Sequence, residues 1–269
     1  MPLRTDIAMG TLVTIQVASC GDEAAEALER AFRWFYEVES RCTRFDPESE
    51  LMQLTAKVGV GVPASAILFE VLRFASMAAA ASGGAFDPTV AHSANGASHR
   101  DVVLDPERKT IMLRRPLTLD LGGVAKGLAV DMAARELAPL QDFAIDAGGD
   151  LYLGGSNELG SPWRVGVRHP RNEGQLIGSL QVSNQAVCTS GDYERPGHIL
   201  DPRTGVSPEH CASVTVVAPS AMLADALATA AFVLGPEDGL ALLESHGVDG
   251  LIVTADLQPH KTRGLLLVA

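Results

Sequence analysis

Two side chains suited to binding a hard metal ion stand four residues apart in an apolar stretch. Asp225 and Thr229 fall within residues 220–234, which are otherwise mostly Ala, Leu, Met, Phe and Val. This composition predicts a buried helix, on which positions i and i+4 share one face. A buried carboxylate needs a partner, and carboxylate and hydroxyl oxygens suit Mg²⁺. The alternative is structural: Thr229 bonds to its own helix, and Asp225 is a residue of the helix's cap region.

A second candidate site lies in residues 119–127, where an apolar run is followed by a Gly-Gly doublet and then by Lys126. We expect a strand over 117–121, a glycine turn, and a helix over about 124–137. This arrangement is typical of an anion site, because glycines allow close backbone approach and a helix N-terminus offers unpaired N–H groups. The alternative is a tight turn into a core helix. Three of four Gly-Gly doublets lie beside an aspartate, which favours a phosphate or metal site built from several turns: Asp87, Asp120 and Asp150.

His198 is the candidate general base. It lies in a segment rich in turn residues, and a neutral imidazole beside a phosphate can accept a proton. A structural role stays open for it, and we expect the other histidines to be surface or structural residues. The chain has no Gly-x-Ser-x-Gly, Gly-x-x-x-x-Gly-Lys-Ser/Thr, His-Glu-x-x-His or Gly-x-Gly-x-x-Gly motif.

The elements that must position these residues alternate along the chain. The hydrophobic pattern predicts helices over 21–41 (with Asp22 as N-cap), 65–81, 220–234 and 237–246, and a short helix after Ser49. It predicts strands over 9–17, 143–147, 151–153, 163–167, 176–182, 186–189 and 213–218, with a closing hairpin over 250–269 and an irregular surface loop over 91–109. Consecutive strands with short connections favour an α+β fold with largely antiparallel sheets.

The composition limits the class of protein. A chain of 269 residues with 46% hydrophobic content can form one domain or two intimately joined lobes. The net charge of −12 and the lack of a basic stripe argue against a nucleic-acid partner. Four scattered cysteines predict free thiols and no zinc site. No transmembrane segment or signal peptide is visible, so we expect a cytoplasmic protein, or a periplasmic or lipid-anchored one if a leader precedes this sequence.

Taken together, several segments resemble the ApbE-type flavin transferases, which are FAD:protein FMN transferases. The matching segments occur in the family's order over almost the whole chain: 9–11, 44–47 with 49–51, 84–88, 120–127, 147–150, 189–193, 198–202 with 204–205, and 225–229. The resemblance implies an ApbE-like (T-fold-like) architecture. Two positions depart from the family pattern: Phe45 stands where tyrosine is common, and Cys188, which we interpret as a buried thiol, stands where a small apolar residue is usual.

The resemblance also implies a reaction and a site. FAD would be the substrate, FMN would be transferred to a threonine of an acceptor redox protein, AMP would leave, and Mg²⁺ would be required. Asp225 and Thr229 would bind the metal with a backbone oxygen from the turn at Gly123 and Ala125, and His198 would take the threonine proton. The FAD site would be lined by Met9, Phe45, Ala85, Phe86, Asp87, Asp120, Lys126 and Ile199. The alternatives are an FAD pyrophosphatase giving FMN and AMP, and an FAD-binding protein without catalysis.

Overall fold

The computed structural model describes residues 3–89, 96–193 and 197–268. The α-helices of this part are α1 (Asp22–Cys42), α2 (Glu50–Thr55), α3 (Ala66–Ala81), α4 (Gly122–Leu137), α5 (Ala221–Leu234) and α6 (Pro236–Ser245). The strands are β1 (Leu3–Ala8), β2 (Thr11–Val17), β3 (Val62–Pro63), β4 (Val102–Asp105), β5 (Thr110–Leu113), β6 (Phe143–Ala147), β7 (Asp150–Gly154), β8 (Trp163–Arg168), β9 (Leu176–Val182), β10 (Gln185–Gly191), β11 (Cys211–Ala218), β12 (Asp249–Thr254) and β13 (Pro259–Lys261).

An eight-stranded sheet forms the centre of the fold. Its strand order is β1-β2-β6-β7-β10-β11-β12-β13, and each neighbouring pair is antiparallel. The other strands of the described residues form a three-stranded sheet, β3-β5-β4, and a two-stranded sheet, β8-β9. The predicted α+β class with largely antiparallel sheets is therefore confirmed.

The helices and the β8-β9 hairpin cover opposite faces of this sheet. The main core contains the buried residues of α1, α3, α4 and α5, with α4 packed against both α1 and α5. A second apolar cluster joins β8 and β9 to the other face. Strand β11 is buried along its whole length because alternate residues enter different clusters: Val214 and Val216 lie in the main core, and Val217 lies in the second cluster.

Local sequence signals set several helix ends. Helices α2, α3 and α5 each follow a serine whose hydroxyl accepts a backbone N–H three residues later, and these are Ser49, Ser65 and Ser220. Such caps satisfy N–H groups that have no partner inside the helix. Gly235 ends α5 with a positive φ of 85°, a conformation that favours glycine.

The N-terminal prediction needs three corrections. The predicted strand over 9–17 begins at Thr11, because Met9 and Gly10 form the turn between β1 and β2 with φ values of 53° and 71°. Strand β1 was not predicted, since its alternating polar residues become a strand only by pairing with β2. Asp22 is the first residue of α1 and not its cap; Gly21 occupies that position, with no side-chain cap.

The region before α4 also differs from the prediction. Residues 117–121 are not a strand, and α4 begins at Gly122, so the glycine doublet forms the first turn of the helix. The backbone N–H of Asp120 instead donates to the carbonyl of Pro88 at 2.7 Å. The predicted irregular loop over 91–109 contains β4, and its residues 91–95 lie outside the described residues.

Over the described ranges, no helix is both long and apolar enough to cross a membrane. The four cysteines are free, as predicted, and only Cys20 is exposed. Burial raises the pKa of the Cys188 thiol well above its ordinary value, and the nearby Asp225 carboxylate adds to the rise. Cys188 is therefore a buried, unreactive thiol, as interpreted from the sequence.

Candidate active site

Helix α5 carries the buried carboxylate of the site. Asp225 Oδ2 is inaccessible to solvent and has no hydrogen-bond partner among the described residues. Burial raises the pKa of Asp225, and the nearby Lys126 and His198 side chains partly oppose the rise. One turn later, Thr229 Oγ1 lies 3.2 Å from Ser190 Oγ of β10. An unpaired buried carboxylate oxygen is costly, and such an atom is expected where a cation binds.

The first turn of α4 faces this carboxylate helix. A Cβ built on Gly123 would lie 3.7 Å from Thr229 Oγ1 and 3.1 Å from Phe86 Cε2. Gly123, Phe86 and Thr229 are thus brought together from three separate segments. Ala125 is buried in the same turn, and its N–H donates to the Leu121 carbonyl at 2.8 Å.

Lys126 forms an ion pair with Asp150, the first residue of β7. Asp150 is only 3% exposed, so the pair fixes the ammonium group at the start of β7, an interior strand of the large sheet. His198 is exposed, yet it lies close enough to affect the pKa of Asp225. A lysine, a buried carboxylate and an accessible imidazole therefore converge, which places a hydrogen-bond donor and a candidate proton acceptor beside the carboxylate.

An aromatic ring lies at the entrance to α4. Phe45 is 82% exposed, and the Arg44 guanidinium lies 4.7 Å from its ring centroid. Arg44 Nε is also 3.2 Å from Asp120 Oδ2, while Asp120 Oδ1 accepts the Gly122 N–H at 2.9 Å. Asp120 therefore orders the helix start and holds the arginine, and the exposed ring offers a flat surface for a ligand.

Asp87 is engaged within its own loop. Its Oδ1 accepts the backbone N–H of Thr89 at 2.9 Å and the Thr89 hydroxyl at 2.7 Å. Its Oδ2 lies 2.7 Å from His99 Nδ1. Because both oxygens are occupied, the visible role of this carboxylate is to fix the loop that ends against Asp120.

The remaining residues predicted for the FAD site supply apolar surface and turns. Ala85, Phe86 and Ile199 are buried in the main core, and Met9 packs against it. The Met9 turn is followed by Thr11, against which Gly148 is packed so closely that a Cβ there would overlap the Thr11 side chain. This contact joins the Met9 turn to the loop before Asp150.

The chain is similar in sequence and in structure to known proteins. The model of the ApbE family matches residues 9–252, which is most of the chain. The chain belongs to the ApbE family. The predicted resemblance is therefore confirmed, and the curated relatives of this ApbE-family chain are named as transferases.

The similarity extends to sequence and structure. A Treponema pallidum protein named FAD:protein FMN transferase is 32% identical, with 98% of this chain and 87% of that protein covered. A Haemophilus influenzae protein of the same name is also 32% identical, with 55% of this chain and 47% of that protein covered. This chain thus spans about half the length of some curated relatives. The crystal structure of an ApbE protein from Thermotoga maritima superposes with a TM-score of 0.89 at 26% identity, covering 97% of each chain.

The residues of this ApbE-family site fit a magnesium ion. Residues 3–89, 96–193 and 197–268 contain no group of three or more His, Cys, Asp and Glu side chains arranged to hold a metal. Mg²⁺ does not require such a cage, since it is commonly held by one or two carboxylates, water and substrate phosphates. The unpaired Asp225 Oδ2, beside Thr229 and the start of α4, is a donor set of this kind.

Two contacts of the site were not predicted from the sequence. Asp150 pairs with Lys126, and Ser190 contacts Thr229. Asp150 was a candidate because it follows a Gly-Gly doublet, whereas Ser190, which lies in β10, was not singled out. The signal for Asp150 was present, but its partner could not be read from spacing.

Proposed function

We propose that this chain transfers FMN from FAD to a threonine hydroxyl of an acceptor redox protein and releases AMP, with Mg²⁺ bound at Asp225 and Thr229. The observation that carries the proposal is the unpaired, buried Asp225 Oδ2 at the point where α4, α5 and β10 meet. The family membership and the names of the curated relatives support the reaction.

In the proposed reaction, the acceptor threonine oxygen attacks the flavin-side phosphorus. The bond from that phosphorus to the bridging oxygen breaks, and AMP leaves with that oxygen. His198 takes the threonine proton, and its exposure is consistent with this role because the acceptor protein must arrive from solvent. Asp225 lies close enough to His198 for the two side chains to interact, so the proposed base stands beside the proposed metal ligand.

The other residues bind and orient the substrate. Lys126, held by Asp150, would contact a pyrophosphate oxygen, while the exposed Phe45 ring would support a flat ring of FAD. A backbone carbonyl at Gly123 or Ala125 would complete the metal ligands with Asp225 and Thr229. When bound, Mg²⁺ would neutralise pyrophosphate charge and favour attack at phosphorus.

The proposal is tested by incubating the purified chain with FAD, Mg²⁺ and a redox-protein domain that carries a threonine acceptor. We expect equal amounts of AMP and covalently flavinylated acceptor, measured by chromatography and by in-gel flavin fluorescence. An acceptor in which that threonine is alanine should remain unlabelled. Free FMN and AMP without labelled acceptor would instead identify an FAD pyrophosphatase.

Variants then test the site. Asp225→Asn should abolish AMP release while the fold persists, because it removes the only charge that we assign to the metal. Asp22→Asn is the matched control, since Asp22 is an exposed aspartate at the start of α1. If the parent protein binds FAD tightly but forms no AMP under any divalent cation, the chain is a binding protein and the proposed reaction is wrong.

A further inference from the structure

The face of α4 that contacts α5 has small or acidic residues at four-residue intervals. These residues are Gly123, Gly127 and Asp131, which share one side of the helix. A Cβ on Gly127 would lie 2.5 Å from both the backbone N and the Cα of Met222. Only glycine therefore allows the two helices to approach this closely. We refer to Gly123, Gly127 and Asp131 as the α4 seam.

Asp131 ends the α4 seam with two hydrogen bonds to α5. One carboxylate oxygen accepts the Ala221 N–H at 2.6 Å, and the other accepts the Met222 N–H at 3.1 Å. These N–H groups have no partner within their own helix. Asp131 therefore caps α5 from a different helix, and its negative charge is favourable at a helix N-terminus.

The cap is connected to the site through rigid elements. Gly123 at one end of the seam faces Thr229, while Asp131 at the other end holds Ala221. The two ends are about 12 Å apart along α4, at 1.5 Å per residue. Any sliding or rotation of α5 would move Asp225 and Thr229 relative to the first turn of α4.

We propose that Asp131 is a positioning residue that fixes the register of α5 on α4 and thereby preorganises the metal ligands. This inference rests on the proposed function for the identity of the metal site. It differs from a general contribution to helix stability, because a cap supplied by α5 itself would stabilise the helix without tying it to α4. Ser220 is such a cap, since its hydroxyl accepts the Leu223 N–H at 3.3 Å.

The test measures binding of Mn²⁺ alone, by electron paramagnetic resonance, on the full chain without FAD. The site in question is the Mn²⁺ site that Asp225→Asn removes. We expect Asp131→Asn to weaken Mn²⁺ binding at this site about tenfold, as is typical when a group supporting a metal ligand is lost. The Mg²⁺ concentration for half-maximal AMP release should rise by a similar factor, while kcat at saturating Mg²⁺ changes little.

Two further variants separate positioning from stability. Ser220→Ala should lower thermal stability but leave the Mn²⁺ affinity unchanged. Asp131→Glu keeps both acceptor oxygens, and its extra methylene can enter the adjoining cavity of about 610 Å³, so it should restore most of the affinity. Asp131→Ser, with one acceptor oxygen, replaces Asp131→Asn if that variant does not fold, with the same expected direction.

The outcomes distinguish the two proposals. Parent-like Mn²⁺ binding by folded Asp131→Asn or Asp131→Ser overturns the positioning role and leaves the proposed function intact. Equal weakening by Ser220→Ala overturns it too, because the effect would then be general helix stability. If Asp225→Asn retains every Mn²⁺ site of the parent, the metal assignment fails, and the role of Asp131 fails with it.

Discussion

Replacing Asp225 with asparagine should stabilise the metal-free protein while removing its response to Mg²⁺. The carboxylate is buried with one unpaired oxygen, and burial raises its pKa. Asparagine has nearly the same shape without the charge. We expect a gain of about 1 kcal/mol, because the substitution removes the buried charge but leaves a buried polar amide atom in its place. Lys126 keeps its partner Asp150, so the substitution leaves no buried cation unpaired.

The magnitude can be converted into melting temperature. For 269 residues, the unfolding entropy near 60 °C is about 0.6 kcal/mol/K, so 1 kcal/mol shifts the Tm by about 2 °C. At a Mg²⁺ concentration of a hundred times Kd, the parent should gain about 2.7 kcal/mol, or about 5 °C. Asp225→Asn should therefore melt above the parent without Mg²⁺ and below it with Mg²⁺.

Differential scanning fluorimetry with and without Mg²⁺ measures both shifts. The pH dependence provides an internal control. Because the pKa of Asp225 in the folded protein lies above its unfolded value of about 3.9, the carboxyl group is protonated in both states at lower pH and its charge costs no stability there. The cost appears only as the pH rises above about 3.9. The two proteins should converge below about pH 4. An equal Mg²⁺ response in both would refute the metal assignment, and a lower Tm of metal-free Asp225→Asn at pH 7 would refute the argument about the unpaired carboxylate.

Three other predictions address separate features. Gly127→Ala should destabilise the protein by about 1–3 kcal/mol, measured by denaturant unfolding, because the new Cβ would overlap the Met222 backbone and this outweighs the higher helix propensity of alanine. Gly122→Ala is the control and should not destabilise the protein, because its Cβ would meet only the end of an aspartate side chain. Burial raises the pKa of Asp131 to about 6, so unfolding free energies of the parent, relative to Asp131→Asn, should fall as the pH rises from about 4 to 6; a flat difference would contradict this pKa. His198→Ala should slow flavin transfer but keep FAD binding, and loss of binding would make His198 a binding residue.

The local sequence predicted most elements but not all of them. The strand over 143–147 and the strand over 176–182 were predicted with the bounds that the structure has. They could be read because apolar and β-branched residues concentrate there between turn signals. Residues 117–121 have a similar composition but form no strand. The Asp120 N–H donates to the loop carbonyl of Pro88 and not to a neighbouring strand. Tertiary contacts override local propensity at such a position.

Some features of the candidate site could likewise be predicted from the sequence, and others could not. The pairing of Asp225 with Thr229 follows from helix geometry and could be read from a spacing of four. The partnership of Lys126 with Asp150 depends on how α4 packs over β7, which no local pattern encodes. Gly127 shows most clearly what the sequence could not predict. From the sequence alone, a glycine inside a helix only lowers the stability of that helix, and its packing role appears only with the contact to Met222.

The charges of the site also give a reason why the proposed reaction would need a divalent cation in a protein of net charge −12. Lys126 is already paired with Asp150, and Arg44 is paired with Asp120, so neither brings an uncompensated positive charge. Asp225 adds a buried negative charge, and the pyrophosphate of FAD would add more. A divalent cation would offset both the buried charge of Asp225 and the charge of the pyrophosphate.

FAD and Mg²⁺ should therefore bind cooperatively, and thermodynamic linkage requires that each strengthen the other's binding by the same factor. Titrations of FAD with and without Mg²⁺, and of Mg²⁺ with and without FAD, measure that factor independently. Independent binding of the two would mean that the ion does not share a site with the pyrophosphate.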